Sequence, residues 1–247
     1  MSMDIMILSY HKMAPLGSAG QLEKGKPFMN ARENIEQLVT TQSAPLLRQA
    51  GFKKTAFNFH RRQGEVMQVV NFQLSAANLG ETGCFYINVG LNFDPICALE
   101  GRAVEPQPKE YACHFRARLE KLLPEAPPAW HFSSEADRLR LADPLQAVTA
   151  ALLQRLDGLD SAAAFQKSAW FQQAGYGLKA QVLYLAGDGA AAAAVLREER
   201  DFFQSRPNWN LEERLKQRGL TALAPLVCAG QAQLRSAPPG RFVQRGQ

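Results

Sequence analysis

Polar and hydrophobic residues alternate along several segments between Gly51 and Leu119. In the last of these segments, the odd positions hold Cys113, Phe115, Ala117 and Leu119, and the even positions hold His114, Arg116 and Arg118. Successive side chains of a β-strand point to opposite faces of its sheet, so one row joins a core and the other row lies on a polar face. Residues 85–93 repeat the pattern with an apolar row at the odd positions. The alternation therefore predicts a sheet with one apolar face and one polar, basic face.

The same region predicts four strands, at residues 57–62, 65–74, 84–93 and 111–118. Gln63 and Gly64 indicate a hairpin between the first two strands. Asp94 and Pro95 should end the third strand, and the prolines at 106 and 108 extend an irregular segment before the fourth. Trp130–Phe132 fits either a short strand or a loop.

Helices are predicted on both sides of this region. Upstream, Asn30 is a suitable N-cap, and Glu33 completes a capping pair three residues later. Pro45 should bend this first helix and Gly51 should end it. From Pro144 to about residue 234, apolar residues recur at helical spacing.

These elements predict an α+β fold, in which an N-terminal helix packs on a mainly antiparallel sheet of about four strands and a C-terminal helical region follows. We expect residues 29–143 to form the sheet domain and residues 144–234 to form helices packed on it. Residues 1–28 show no sustained period and are expected to be an irregular extension. Residues 235–247 are expected to be a disordered basic tail.

Composition and charge narrow the functional class. The chain has 247 residues, of which 46% are hydrophobic and 21% charged, as in an ordinary globular protein. No apolar run approaches the ~18 residues that a membrane span needs, and residues 1–9 lack the pattern of a signal peptide. We therefore expect a cytoplasmic protein without membrane contact. The net charge of +5 includes the tail residues Arg235, Arg241 and Arg245, so a nucleic-acid partner is not expected.

Motifs for metal binding and catalysis are not found in the sequence. The four histidines show none of the spacings HxH, HxxxH or HExxH, and the four cysteines form no CxxC pair. There is no GxSxG elbow, no phosphate-binding glycine loop, and no cysteine in a context that predicts a fixed base beside it. We therefore predict no catalytic set, no metal site and no cofactor.

One set of basic and amide residues forms a candidate binding site. These residues are His60, Arg62, Asn71, Gln73, Asn88, His114, Arg116 and Arg118. If their strands are neighbours, guanidinium and amide groups converge on one face, and such groups suit a carboxylate or a phosphate. Two histidines on that face could act as acid and base on a phosphodiester. The other interpretation is a solvated sheet face on which the amides bond to one another.

Five segments, taken in order, resemble the bacterial family known as domain of unknown function 4304. They are GFKK at 51–54, FHRR at 59–62, VVNFQ at 69–73, FYINVG at 85–90 and CHFRAR at 113–118. The resemblance covers about residues 29–130. It implies an α+β domain and no established enzyme activity. Small bacterial families of this kind include immunity proteins that neutralise secreted toxins.

Two functions of different class remain open at this point. The first is a non-catalytic cytoplasmic module that binds another protein, such as a toxin that it holds inactive. Specific inhibition of this kind needs only a complementary surface of about 800 Å² per partner. The alternative is a phosphate- or nucleotide-directed enzyme, or an RNA-binding domain, that uses His114, Arg116 and Arg118.

Overall fold

The computed structural model describes residues 29–235, so the expectations for residues 1–28 and 236–247 lie outside the described residues. Six strands form one sheet in this part of the chain: β1 Lys53–Thr55, β2 Asn58–Gln63, β3 Val66–Leu74, β4 Gly83–Phe93, β5 Phe115–Arg118 and β6 Trp130–Phe132. The helices are α1 Ala31–Leu38, α2 Ala44–Gln49, α3 Asp94–Leu99, α4 Leu119–Leu122, α5 Glu135–Arg140, α6 Ala142–Leu156, α7 Ala162–Lys167, α8 Tyr176–Leu185, α9 Gly189–Phe203, α10 Leu211–Gln217 and α11 Ala224–Arg235. The predicted α+β class is confirmed, although Arg235 ends a helix instead of opening the tail.

All strand pairs are antiparallel, and β4 is the centre of the sheet. Strands β1 to β5 follow one another in chain order, and β6 pairs with β4. Two strands pair with the edge of β4 that faces away from β3. Strand β6 pairs with residues 83–85 of β4, and β5 pairs with residues 88–91. The four predicted strands are present, but β5 begins at Phe115 because Glu110–Ala112 forms a 3-10 turn.

The first helical segment follows its sequence signals. The side chain of Asn30 accepts a hydrogen bond from the Glu33 backbone, and the Glu33 carboxylate accepts one from the Asn30 backbone, which forms a capping box. A π-helical turn, Val39–Ser43, separates α1 from α2, and Pro45 lies in the first turn of α2. Gly51 has φ +88°, a conformation that favours glycine and ends the helix as predicted.

Helices α1, α2 and α6 pack on the apolar face of the sheet. The apolar row of β4, from Phe85 to Phe93, is buried in this core. Gln68 of β3 is a buried polar residue on the same face. Its amide nitrogen donates to the backbone carbonyls of Leu156 and Leu159, which lie at and just after the end of α6. These two bonds tie the apolar face of the sheet to the C-terminal end of α6.

The segment after β4 differs from its prediction. Residues 94–99 form α3, with Pro95 in its first turn, whereas an irregular segment was predicted. Proline lacks an N–H but is well tolerated in the first turn of a helix, where no intrahelical acceptor is needed. Helix α3 folds over the polar face of the sheet instead of leaving it exposed to solvent.

The C-terminal helices extend the first core and build a second one. Phe165 of α7 and Trp170 of the following 3-10 turn pack against Phe115 of β5. Helix α8 takes part in both cores, with Val182 in the first and Ala180 in the second. The second core contains residues of α9, α10 and α11. Between residues 29 and 235, no helix has the length and apolar character needed to cross a membrane.

Candidate functional site

The side chains that point away from the apolar core form rows across the sheet. The strand register places Asn58, Asn71, Asn88 and Arg118 in one row. The next row contains His60, Val69, Gly90 and Arg116. Arg62 and Gln73 lie on the same face by the alternation of their strands. All the predicted site residues except His114 therefore share one face, which we call the polar face.

Part of the polar face is covered by residues 94–113, which we call the covering segment. His60 Nε2 lies 3.0 Å from the carbonyl oxygen of Pro108, and Asn92 Nδ2 lies 3.6 Å from Cys97 Sγ. Gly90 lies under Cys113, because a Cβ at Gly90 would be 2.7 Å from the Cys113 sulfur. The prediction that Cys113 is buried in the core is wrong. Gly90 and Asn92 therefore lie in an internal interface between the sheet and the covering segment.

The basic groups beside the covering segment have internal partners. Arg62 donates to Asp94 at 2.5 Å. Arg116 contacts Glu110 at the longer distance of 3.4 Å, and its side chain remains 44% exposed. Salt bridges of this exposure contribute little to stability, on the order of 0–1 kcal/mol. Arg62 is therefore largely engaged, whereas Arg116 keeps an accessible guanidinium group.

His114 does not join Arg116 and Arg118, and this part of the predicted row is wrong. It precedes β5, and its Nδ1 accepts a hydrogen bond of 3.0 Å from the Phe93 backbone N–H. Its Nε2 lies 2.8 Å from Arg102 Nη2 and 3.6 Å from Glu100 Oε2, beside the ion pair that these two residues form. His114 is buried at the junction with α8, where it lines a cavity with Tyr176 and Gln181.

Glu100 holds this junction together as a carboxylate. Burial raises the pKa of Glu100, but hydrogen bonds to His114, Gln181 and Arg102 outweigh this effect and hold the pKa at about 2. Gln181 of α8 donates to Glu100 Oε1 at 2.8 Å and to the Arg218 carbonyl at 3.2 Å. The group around His114 is thus an ion and hydrogen-bond network that ties α3 to the C-terminal helices.

An amide ladder crosses the centre of the polar face. Asn71 donates to Asn58 at 2.9 Å, and Asn88 donates to both Asn71 and Gln73 at 3.0 Å. These bonds confirm that the amides bond to one another across the strands. Asn88 is completely buried, and its Oδ1 has no hydrogen-bond partner. An unpaired buried acceptor of this kind costs about 1–3 kcal/mol.

A basic cavity lies at the end of the ladder, beside β5. It has a volume of about 400 Å³ and is lined by Asn88, Arg116, Ala117, Arg118, Lys121 and Gln173, none of which is acidic. The Arg118 guanidinium lies 3.9 Å from the centre of the Tyr86 ring, and it has no acidic partner among residues 29–235. We call this site the edge cavity. Its donors suit a carboxylate or a phosphate.

The sequence analysis missed Cys84, Tyr86 and His131. Cys84 and His131 are directly opposite each other on β4 and β6, and Cys84 Sγ lies 3.8 Å from His131 Nε2. The sequence context of the cysteines predicts no fixed base beside any of them, and this contact arises from the pairing of β4 with β6. In the sequence, His131 stands between Trp130 and Phe132, two apolar residues that are buried in the structure. This alternation fits a short strand, but it does not show with which strand it pairs. Within the described chain, no three His, Cys, Asp or Glu side chains are grouped to hold a metal ion.

Comparison with known protein families places part of the chain. Residues 43–156 match the sequence model of a domain of unknown function, DUF4304. The match begins in the π-helical turn before α2 and ends with α6, so it lies further along the chain than the predicted residues 29–130. No curated protein and no solved structure matches the sequence. The match covers a little under half of the chain, and residues 43–156 are similar to the DUF4304 family of domains of unknown function.

Proposed function

We propose that this protein is a non-catalytic binding module that holds an acidic group of a partner protein in the edge cavity. The observation that carries the proposal is the charge of that cavity. Arg116, Arg118 and Lys121 line it, and no acidic residue does. A carboxylate that enters receives charge-assisted hydrogen bonds, which are about twice as strong as neutral ones.

The geometry of Arg118 favours binding of a partner. Its contact with Tyr86 restrains the guanidinium group before any partner arrives. A restrained side chain loses less conformational entropy on binding than a free one. Asn88 also lines this cavity, and its side chain is held in place by the amide ladder.

The surface around the edge cavity offers contact area as well as charge. Tyr86 lies between the edge cavity and a second cavity that is lined by Cys84 and His131. Leu79, 82% exposed, lies on the loop that forms the rim of the second cavity. Aromatic and arginine side chains are common anchors in protein interfaces. We propose that a bacterial toxin with an acidic contact surface is the partner, and that the module acts in the cytoplasm as an immunity protein.

The alternative, a phosphate- or nucleotide-directed enzyme or an RNA-binding domain, uses the same arginines differently. A histidine acid and base pair on the polar face would favour the enzyme. Here His60 contacts the covering segment and His114 lies in the Glu100 network, so neither lines the edge cavity. The arrangement therefore favours protein binding over phosphodiester chemistry. Ribonuclease treatment distinguishes binding of RNA through Arg118 from binding of a protein.

The proposal is tested by capturing partners with the full chain from lysates of its native host, with and without ribonuclease. The capture is repeated with Arg118→Ala and with Arg140→Ala, a control that removes an equal charge from an exposed position on α5. The captured protein is then purified and its affinity measured by calorimetry. We expect Arg118→Ala to weaken binding tenfold to a hundredfold, which is ~1.4–2.8 kcal/mol, and Arg140→Ala to leave it unchanged. Equal affinity of both variants, or capture that ribonuclease abolishes, would overturn the proposal.

A further inference from the structure

Cys84 and His131 form a pair on the part of the polar face beyond the covering segment. Their strands place them directly opposite each other, with Phe85 and Trp130 stacked on the apolar side at 5.9 Å between ring centres. This stack fixes the register of β4 and β6, and the register brings the thiol and the imidazole together. Cys84 is half-buried and His131 is exposed, and both line a cavity of about 450 Å³.

From this pair we infer that Cys84 is a site of reversible modification by small peptide disulfides. His131 Nε2, in the tautomer that carries its proton on Nδ1, is placed to accept the proton of the Cys84 thiol. The thiolate attacks one sulfur of the disulfide, and the Cys84–sulfur bond forms as the original sulfur–sulfur bond breaks. The departing thiolate takes the proton from the His131 imidazolium. The incoming disulfide supplies the oxidising equivalents, and a mixed disulfide on Cys84 and one free thiol are the products.

The walls of the cavity favour a peptide ligand over an apolar one. Ser75, Asn78, Thr82, Ser133 and Asp137 contribute polar groups to the lining. Asn78 is fixed by the bond that its Oδ1 accepts from the Cys84 backbone N–H at 2.7 Å. Its Nδ2 is buried and has no acceptor among the described residues. A peptide carbonyl or carboxylate next to Cys84 is the acceptor that this amide lacks.

The other three cysteines are internal references for this reactivity. Cys97 belongs to the covering segment and is buried against Asn92 of the sheet. Burial raises the pKa of the Cys113 thiol to about 12, so it is protonated at neutral pH. Cys228 is exposed on α11 and contacts no histidine among residues 29–235. If exposure alone determined the rate of modification, Cys228 would react fastest. If the neighbouring imidazole determines it, Cys84 reacts fastest.

The test treats the full chain with glutathione disulfide at neutral pH and follows each cysteine by peptide mass mapping. We expect Cys84 to be modified first, about tenfold faster than Cys228. His131→Gln should slow Cys84 to the rate of Cys228 and leave Cys228 unchanged. Because His131 is exposed, this variant should keep the thermal midpoint of the wild type. A faster modification of the buried Cys97 would show that the variant unfolds.

Iodoacetamide, a small uncharged alkylating agent, separates the two parts of the inference. Fast reaction of Cys84 with both reagents supports a reactive thiol and a cavity that accepts a peptide disulfide. Fast reaction with iodoacetamide alone would overturn the choice of a peptide disulfide as ligand. Preferential modification of Cys228 by both reagents, or a Cys84 rate that His131→Gln leaves unchanged, would overturn the role of the pair.

Discussion

The guanidinium carbon of Arg118 lies 3.9 Å from the centre of the Tyr86 ring. The two residues belong to neighbouring strands, and Arg118 is opposite Asn88, two positions along β4 from Tyr86. The contact places a cation at the end of the amide ladder without a nearby carboxylate. It thereby combines the two features that the proposed function requires, a restrained arginine and an unneutralised charge.

A double-mutant cycle measures this contact. Tyr86→Leu and Arg118→Ala should each lower the free energy of unfolding, with a coupling energy of ~0.5–1 kcal/mol for a partly exposed cation and ring. The measurement is urea denaturation of the wild type, both single variants and the double variant. Strictly additive effects would show that the contact contributes nothing to stability, and the restraint invoked for Arg118 would then be lost.

The two faces of β5 should respond differently to truncation. Phe115 is buried and stacks on Trp170, so Phe115→Ala should cost ~2–5 kcal/mol by opening a cavity in the core. Arg116→Ala on the polar face should cost less than about 1 kcal/mol, because its bond to Glu110 is long and exposed. Thermal and urea unfolding of both variants tests the contrast. If Arg116→Ala destabilises as much as Phe115→Ala, Arg116 is part of the structural core and not a binding group.

Features that depend on spacing within one element could be predicted from the sequence. The capping box of Asn30 and Glu33 involves residues three positions apart, and the apolar row of β4 follows a period of two. The position of His114 could not be predicted in this way. Its ring is placed by the fold of α3 and the covering segment, and Pro95 was interpreted as the start of an irregular segment although it lies in the first turn of a helix.

The Cys84 and His131 pair shows a second limit of the sequence. Strand β6 has three residues, too few for an alternation that would identify it as a strand. Its pairing with β4 joins positions 47 residues apart, and no local pattern specifies such a contact. The edge cavity has the same origin in part, because Gln173 lines it together with Arg118 only through tertiary packing.

Acid should weaken the junction between α3 and the C-terminal helices. The pKa of Glu100 is about 2 in the folded protein, below its ordinary value of about 4.5, so its contribution to stability is complete above about pH 4.5. That contribution is lost as the pH falls from 4.5 through 2, because the unfolded chain then binds the proton more readily. We expect Glu100→Gln to be less stable than the wild type at pH 7 and to lose less stability between pH 5 and pH 2.

The free energy of unfolding at a series of pH values measures this difference. Glu36→Gln, at an exposed position of α1, removes an equal charge and serves as the control. A wild type and a Glu100→Gln variant with parallel pH profiles would show that Glu100 titrates alike in the folded and unfolded chains.

The covering segment can be tested at the glycine beneath it. Gly90→Ala places a Cβ 2.7 Å from Cys113 Sγ and 3.2 Å from the Cα of Glu110, so the segment has to move away from the sheet. Overpacking of this kind costs ~1–3 kcal/mol. Gly158→Ala is the matched control, since a Cβ there meets no atom within 4 Å. Cys113→Ala in the Gly90→Ala background removes the nearest clash and should restore part of the lost stability, as measured by urea denaturation. A Gly90→Ala protein as stable as the Gly158→Ala control would mean that the covering segment is not packed on β4, and His60 and Arg116 would then belong to an open basic surface.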